Sequence, residues 1–205
     1  MNEKSVNENL ANMTLKEKFD YLLYYYKVHI IVFILVMIAI GSFVYTESSK
    51  KSVYLNISYW SSHISDETSK TLQSDLEKSL LSGDDSQMIC LDSYNLENDA
   101  ELTKIQASIA SHELDVAIMS KDDFDKYYPA ELFLDLNSIS GFSSLKIDSN
   151  LLIQKDNGIY GIKINNLNYL NQLNTLKNSD NILVVLSNTK NKDKILSLLN
   201  SCIIN

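Results

Sequence analysis

Nineteen consecutive residues without a formal charge, 28–46 (VHIIVFILVMIAIGSFVYT), constrain this chain more than any other feature. At about 1.5 Å rise per residue, a helix of this length matches the roughly 30 Å hydrocarbon core of a bilayer. Lys27 and Glu47 bracket the run. Tyr24, Tyr25 and Tyr26 lie at one edge and Phe43 and Tyr45 at the other, the depth at which amphipathic rings settle among headgroups. A core helix rarely stays apolar on every face for this length. A signal peptide has a short basic leader and a small-residue cleavage site, whereas here the leader is long and Ala39 and Gly41 are followed by Phe43, Val44 and Tyr45. The expectation is an uncleaved signal anchor and a single-pass protein of the cell membrane, in contact with the lipid bilayer through residues 28–46.

Lysine placement orients the span. Lys16, Lys18 and Lys27 closely precede it and only Lys50 and Lys51 closely follow, which assigns the N-terminus to the cytoplasm and the C-terminal domain to the outside. In residues 1–46, Lys4, Lys16, Lys18 and Lys27 balance Glu3, Glu8, Glu17 and Asp20, so the formal charge of -8 falls entirely after the span. All 18 basic residues are lysine. An acidic domain without arginine repels nucleic acid and anionic lipid heads, which removes nucleic acid from the expected partners. The lack of arginine beside abundant Asn, Ile and Lys also suggests an AT-rich bacterial genome.

The chain then falls into five stretches. Residues 1–13, polar and Asn-rich, are expected to be a disordered cytoplasmic tail. In residues 14–27, Thr14 and Glu17 have capping-box spacing, and Leu15, Phe19, Leu22, Leu23 and Tyr26 recur at helical intervals, which predicts an amphipathic juxtamembrane helix. That helix either lies on the inner membrane face or forms the first turns of one long tilted helix. After the span at 28–46 and a polar linker at 47–52, residues 53–205 suffice for one domain with a single core.

Within that domain strands and helices alternate. Val53, Leu55, Ile57 and Tyr59 mark a strand; Ser65 or Asp66 caps a helix with Leu72, Leu76 and Leu80 on one face; residues 88–91 form a second strand. Residues 99–111 are helical with Leu102, Ile105 and Ile109 inward, 114–119 form an apolar strand, and 121–128 start a short helix before Pro129. The Asn157-Gly158 pair marks a tight antiparallel hairpin between 151–154 and 159–164. A helical stretch at 167–176, a strand at 182–186 and a closing helix at 190–204 through Ile195, Leu198, Leu199 and Cys202 complete the reading. The expected fold class is α/β: one mixed, mostly parallel sheet flanked by helices.

Catalytic constellations are sparse. His112-Glu113 lacks the second histidine that a helical zinc site needs, and the remaining histidines are His29 and His63; His112-Glu113 reads as a solvated helix end. Asp122, Asp123 and Asp125 lack the glycine and distal glutamate of a calcium loop, and acidic residues at a helix start are explained by the helix dipole. No nucleophile elbow, phosphate-cradling loop or Cys-x-x-Cys occurs, so the expectation is a non-enzyme with no cofactor and no metal. Cys90 and Cys202 either form a disulfide outside the cell or stand as separate thiols.

Residues 115–127 (DVAIMSKDDFDKY), 132–136 (LFLDL), 157–162 (NGIYGI), and the strand 184–186 with the helix 190–199 follow one another in the order seen in extracellular solute-binding proteins of bacterial ABC importers. The sequence resembles one lobe of that periplasmic-binding-protein-like fold over residues 53–204. Full-length members insert a second lobe after the Tyr-Gly strand, yet only residues 165–181 separate the flanking strands here. No lipid-attachment cysteine lies near the span. The resemblance therefore implies a single lobe on a helical anchor.

Open α/β sheets bind ligands at the carboxyl ends of their strands, which here are Tyr59, Trp60 and Ser61; Asp92, Ser93 and Tyr94; Ser120 and Lys121; and Ser187 and Asn188. These are expected to form one rim for a ligand or a partner, with Trp60, the one tryptophan, foremost. The alternative for Trp60 is a half-buried aromatic covering the helix at Asp66; for Asp92 and Tyr94 it is exposure in a loop. The expected function is non-catalytic recognition or scaffolding of another envelope component, such as an ABC transporter. The alternative is solute capture in a cleft completed by a second copy or a partner.

Overall fold

A computed structural model describes residues 14–48, 51–176 and 180–203. The expected disordered tail at 1–13 and the end of the closing helix at Ile204 lie outside the described residues. The chain divides into two compact units, residues 1–50 and 51–205.

The first unit is one helix, α1 (Leu15–Ser48), unbroken through the 14–27 segment and the apolar run. Its stretch Tyr26–Phe43 has a mean hydropathy of 2.1 and is 0% buried, so it is long and apolar enough to cross a membrane and no protein core covers it.

The second unit carries β1 (Ser52–Tyr59), α2 (Asp66–Leu80), β2 (Gln87–Ser93), α3 (Asp99–Ala110), β3 (Val116–Met119), α4 (Lys121–Tyr127), β4 (Leu152–Lys155), β5 (Gly158–Lys163), β6 (Ile182–Val185) and α5 (Lys192–Cys202). Each α helix over the first three strands starts at a residue suited to capping. Ser65 accepts from the Thr68 amide, Asn98 from Ala100 and Glu101, and Ser120 from Asp123. His112 closes α3 at φ 59°, its amide bonded to the Ile109 carbonyl.

The six strands form one sheet in the order β2-β1-β3-β6-β5-β4. β1 pairs in parallel with β2 and β3, because α2 and α3 return the chain to the same end each time. The other half departs from the mostly parallel expectation: β3–β6, β6–β5 and β5–β4 are antiparallel. The reason lies in the connections. A parallel neighbour needs a crossover element, but β4 and β5 share a tight turn, and between β5 and β6 the described residues form 3-10 segments at Ile164–Asn166 and Leu170–Leu176 where the sequence predicted a longer helical stretch. The hairpin turn itself puts positive φ on Asp156 (48°) and Asn157 (67°), with Gly158 already paired to Lys155 at the strand start. Two left-handed central residues are the signature of a type I′ turn.

Two apolar layers cover the sheet. On the first face Leu55, Ile57, Tyr59, Ile89, Val116, Ile118, Leu183 and Val185 pack under α2 and α5. On the second, Ala117, Met119, Ile182, Val184 and Leu186 join Trp60, Ile105, Phe124 and Phe133. β3 and β6 are buried at every position, as central strands covered on both faces must be. A Cβ at Gly161 would lie 2.5 Å from Ile182 Cγ2 and 3.3 Å from the Leu183 carbonyl oxygen, so the close β5–β6 approach depends on glycine.

Strand alternation also decides the cysteines. Ile89 and Leu91 face the first layer with Cys202, so Cys90 between them points to the opposite face. Both thiols are free, and the disulfide alternative is corrected to two separate thiols. Burial pushes the Cys202 thiol up to about 11, and partial burial beside Asp92 and Glu77 raises Cys90.

One buried carboxylate ties the layers together. Asp115, 3% exposed, accepts from the Asn56 amide (3.0 Å), Thr189 Oγ1 (2.6 Å) and Asn191 Nδ2 (2.9 Å). It thereby joins β1, the start of β3 and the loop that leads into α5.

Candidate functional site

The connection from β1 leads to β2 on one side, and the connection from β2 leads to β3 on the other. The carboxyl ends of β1 and β3 therefore flank the point where strand order reverses, the ordinary ligand position in open α/β sheets. Trp60 sits there. Its amide donates to the Ile118 carbonyl (2.8 Å) and its Nε1 to Ser58 Oγ (2.7 Å), and its ring meets Tyr127 edge-on at 6.3 Å. At 2% exposure it is a wall, not a projecting rim residue, and it packs against α3 and α4 instead of covering the helix at Asp66.

Beside it runs a groove of about 410 Å³ between α3 and the segment after α4. Trp60 and Ile105 are its buried residues; Leu102, Gln106 and Ile109 line it from α3, and Tyr127 and Leu132 from the opposite side. Leu102 and Ile109, read from periodicity as inward, are only half-buried because α3 stands off the sheet here and buries Ile105 alone. The lining is apolar apart from Gln106. Such a surface releases water on binding carbon-rich groups and offers little to charged ones.

The remaining predicted residues separate into two edges. Ser61 is buried next to Trp60. Tyr94 is half-buried, donates its amide to the Tyr59 carbonyl (2.8 Å), and packs with the Trp60 layer; desolvation, then Asp92 and Glu101, raise its phenol. Asp92 is exposed. Ser120 is occupied by capping α4, its hydroxyl donating to Asp123 Oδ2 (2.6 Å) and accepting from the Asp123 amide (3.1 Å).

Ser187 and Asn188 are at the opposite edge, which corrects the expectation of one rim. β6 runs antiparallel to β3 with Val116 opposite Val185, so the carboxyl end of β6 lies at the amino end of β3. Asn188 bonds the Ile109 carbonyl through Nδ2, and its own carbonyl lies 3.0 Å from His112 Nδ1, a pairing that secures the end of α3. Ser187 lines a separate recess with Tyr128, Asp156 and Tyr160.

Sequence reasoning missed Leu102, Tyr127 and Leu132 as site residues. The available signal was the aromatic-rich run at 124–133, which carries four rings at Phe124, Tyr127, Tyr128 and Phe133. The three aspartates at 122, 123 and 125 serve α4: Asp125 pairs with Lys121 and with Lys155 (3.2 Å), and the Lys121 bond, with Lys155 assisting, holds its carboxyl below the usual range. Among the described residues no group of three or more His, Cys, Asp or Glu could hold a metal ion.

No protein-family model and no curated protein matches the chain. Solved structures that are similar include two solute-binding proteins. One is an extracellular solute-binding protein family 1 member from Alicyclobacillus acidocaldarius, with 21% identity and a TM-score of 0.39 over 56% of this chain. The other is an ABC substrate-binding protein from Listeria monocytogenes in complex with cycloalternan, with 17% identity and a TM-score of 0.38 over 55% of this chain. The chain spans 28% of the length of each.

Proposed function

We propose that this chain is a non-catalytic membrane-anchored recognition protein. α1 holds it in the cell membrane with the N-terminus cytoplasmic, and the domain at 51–205 binds an apolar segment of another envelope component outside. The groove beside Trp60 carries this reading. It is apolar, it lies at the strand-order reversal, and its half-buried Leu102 and Ile109 are left for something else to cover. Two or three partner side chains would fill about 410 Å³ and add the buried anchors on which interfaces depend.

A photoreactive residue at exposed Gln106, introduced into the full chain in cells, tests the proposal. A discrete adduct that disappears with Leu102→Asp, together with loss of the C-terminal domain when protease is added to intact cells, is the expected outcome. An adduct indifferent to Leu102→Asp, or a domain untouched by external protease, contradicts it. The groove volume also suits a small apolar solute, the second reading, in which a second copy or a partner completes the cleft. Thermal shift of the purified chain separates the two, since a solute at a hundred times its Kd stabilises by about 2.7 kcal/mol whereas a protein partner leaves every solute pool without effect.

A further inference from the structure

At the far edge of the sheet from Trp60, the segment after α4 and the β4–β5 hairpin enclose a recess of about 480 Å³. Its walls are two tyrosines. The Tyr128 and Tyr160 rings cross at 78° with centroids 5.1 Å apart, presenting ring surfaces in two perpendicular directions. Phe133, 5% exposed and stacked on Phe124 at 5.4 Å, closes the inner side.

Three carboxylates line the same space, Glu131, Asp135 and Asp156, and no lysine does. Among the described residues none of the three is in an ion pair. Asp156 accepts the Tyr128 hydroxyl proton through Oδ2 (2.8 Å). Asp135 accepts the Asn137 and Ile159 amides through Oδ1 (3.0 Å each), which leaves Oδ2. Glycine at 158 lets these groups converge, because a Cβ there would lie 2.7 Å from Tyr160 Cε2 and 3.1 Å from Asp135 Cγ. Outside the recess lining, the Lys155 ammonium lies 5.8 Å from the Tyr128 ring centroid while it pairs with Asp125, a cation beside the same ring.

We infer that this recess binds the head group of a small organic cation, an alkylammonium or alkylguanidinium. The ring faces carry negative potential that attracts a cation. The carboxylates supply charge and acceptors that a cationic donor can use and an anion cannot. The volume falls in the range of small-molecule sites. The site is distinct from the Trp60 groove, and the two differ in chemistry: one is apolar, the other anionic and aromatic.

Calorimetric titration of the full chain in a neutral detergent with n-butylammonium and n-butylguanidinium tests the inference, with n-pentanol as the uncharged counterpart. The expected result is one site for each cation and no measurable binding of pentanol. Asp156→Asn should weaken the cations about tenfold, and Tyr128→Leu by a comparable factor. Asparagine tolerates the left-handed backbone at 156, so the turn survives that change; Glu131→Gln, at an exposed position, is the second charge variant. Leu102→Asp in the other groove should leave cation binding unchanged. Equal binding of pentanol, undiminished binding in both charge variants, or no cation binding up to the solubility limit would each overturn the assignment.

Discussion

Truncation of Phe124 to alanine is expected to lower the stability of the domain by about 3–5 kcal/mol, the range for removing a fully enclosed aromatic ring. Phe124 is 0% exposed and stands between Phe133, stacked at 5.4 Å, and Tyr128 at 5.7 Å. It is the buried anchor of α4, and the residues that follow reach both candidate sites: Tyr127 lines the groove and Tyr128 the recess. The cost should therefore appear twice, as a fall in urea midpoint at unchanged slope and as weakened binding at both sites. Phe124→Leu, which keeps much of the volume, should cost about 1 kcal/mol and leave the sites usable. Circular dichroism during urea titration measures the first effect. A change below about 1 kcal/mol for Phe124→Ala would mean that α4 is not held by this ring.

Replacing Asp115 with alanine should cost about 3 kcal/mol or more, through a different mechanism. The loss is not of packing but of an acceptor for three donors, the Asn56 amide, Thr189 Oγ1 and Asn191 Nδ2, in a place that water does not reach. Donors stranded without an acceptor pay their full desolvation cost. For a domain of this size that corresponds to a fall in Tm of roughly 6–12 °C. Thr189→Val removes one of the three bonds and should cost about 1 kcal/mol, and in combination with Asp115→Ala the two losses should be less than additive because they share a bond. Differential scanning calorimetry of the four proteins closes the cycle; full additivity would remove the network.

How much of this was legible in the sequence depends on what the residues encode locally. The apolar run at 28–46 and the helix start at Ser65 or Asp66 were readable because chain length and side-chain hydrogen bonding act within a few residues; Ser120, read as a rim residue, turned out to cap α4. The order of strands and helices followed from periodicity. The direction of β6 did not, since Ile182–Val185 is an uninterrupted apolar run with no sense of up or down; its antiparallel pairing with β3 and β5 belongs to the fold. That one reversal sent Ser187 and Asn188 to the other edge and divided the predicted rim. The Trp60 groove stayed hidden for a related reason. Leu102, Ile105 and Ile109 share one helical face, and periodicity says only that the face is apolar, not that Ile105 alone reaches the core. The recess was hidden because its parts come from positions 128, 135, 156 and 160, which only the fold brings together.

The central claim, that the groove beside Trp60 is a binding site for apolar groups, has a built-in reporter. Trp60 is the one tryptophan of the chain and lines the groove, so its fluorescence reports occupancy without labelling. Among the described residues both core layers are built from the 51–205 unit, which allows that unit to be used alone and free of detergent. Titration with the neutral apolar fluorophore N-phenyl-1-naphthylamine should produce saturable energy transfer from Trp60 at one site, weakened at least about tenfold by Leu102→Asp, as expected when a charge enters an apolar contact. Transfer that rises without saturation, or that is the same in Leu102→Asp, would contradict it.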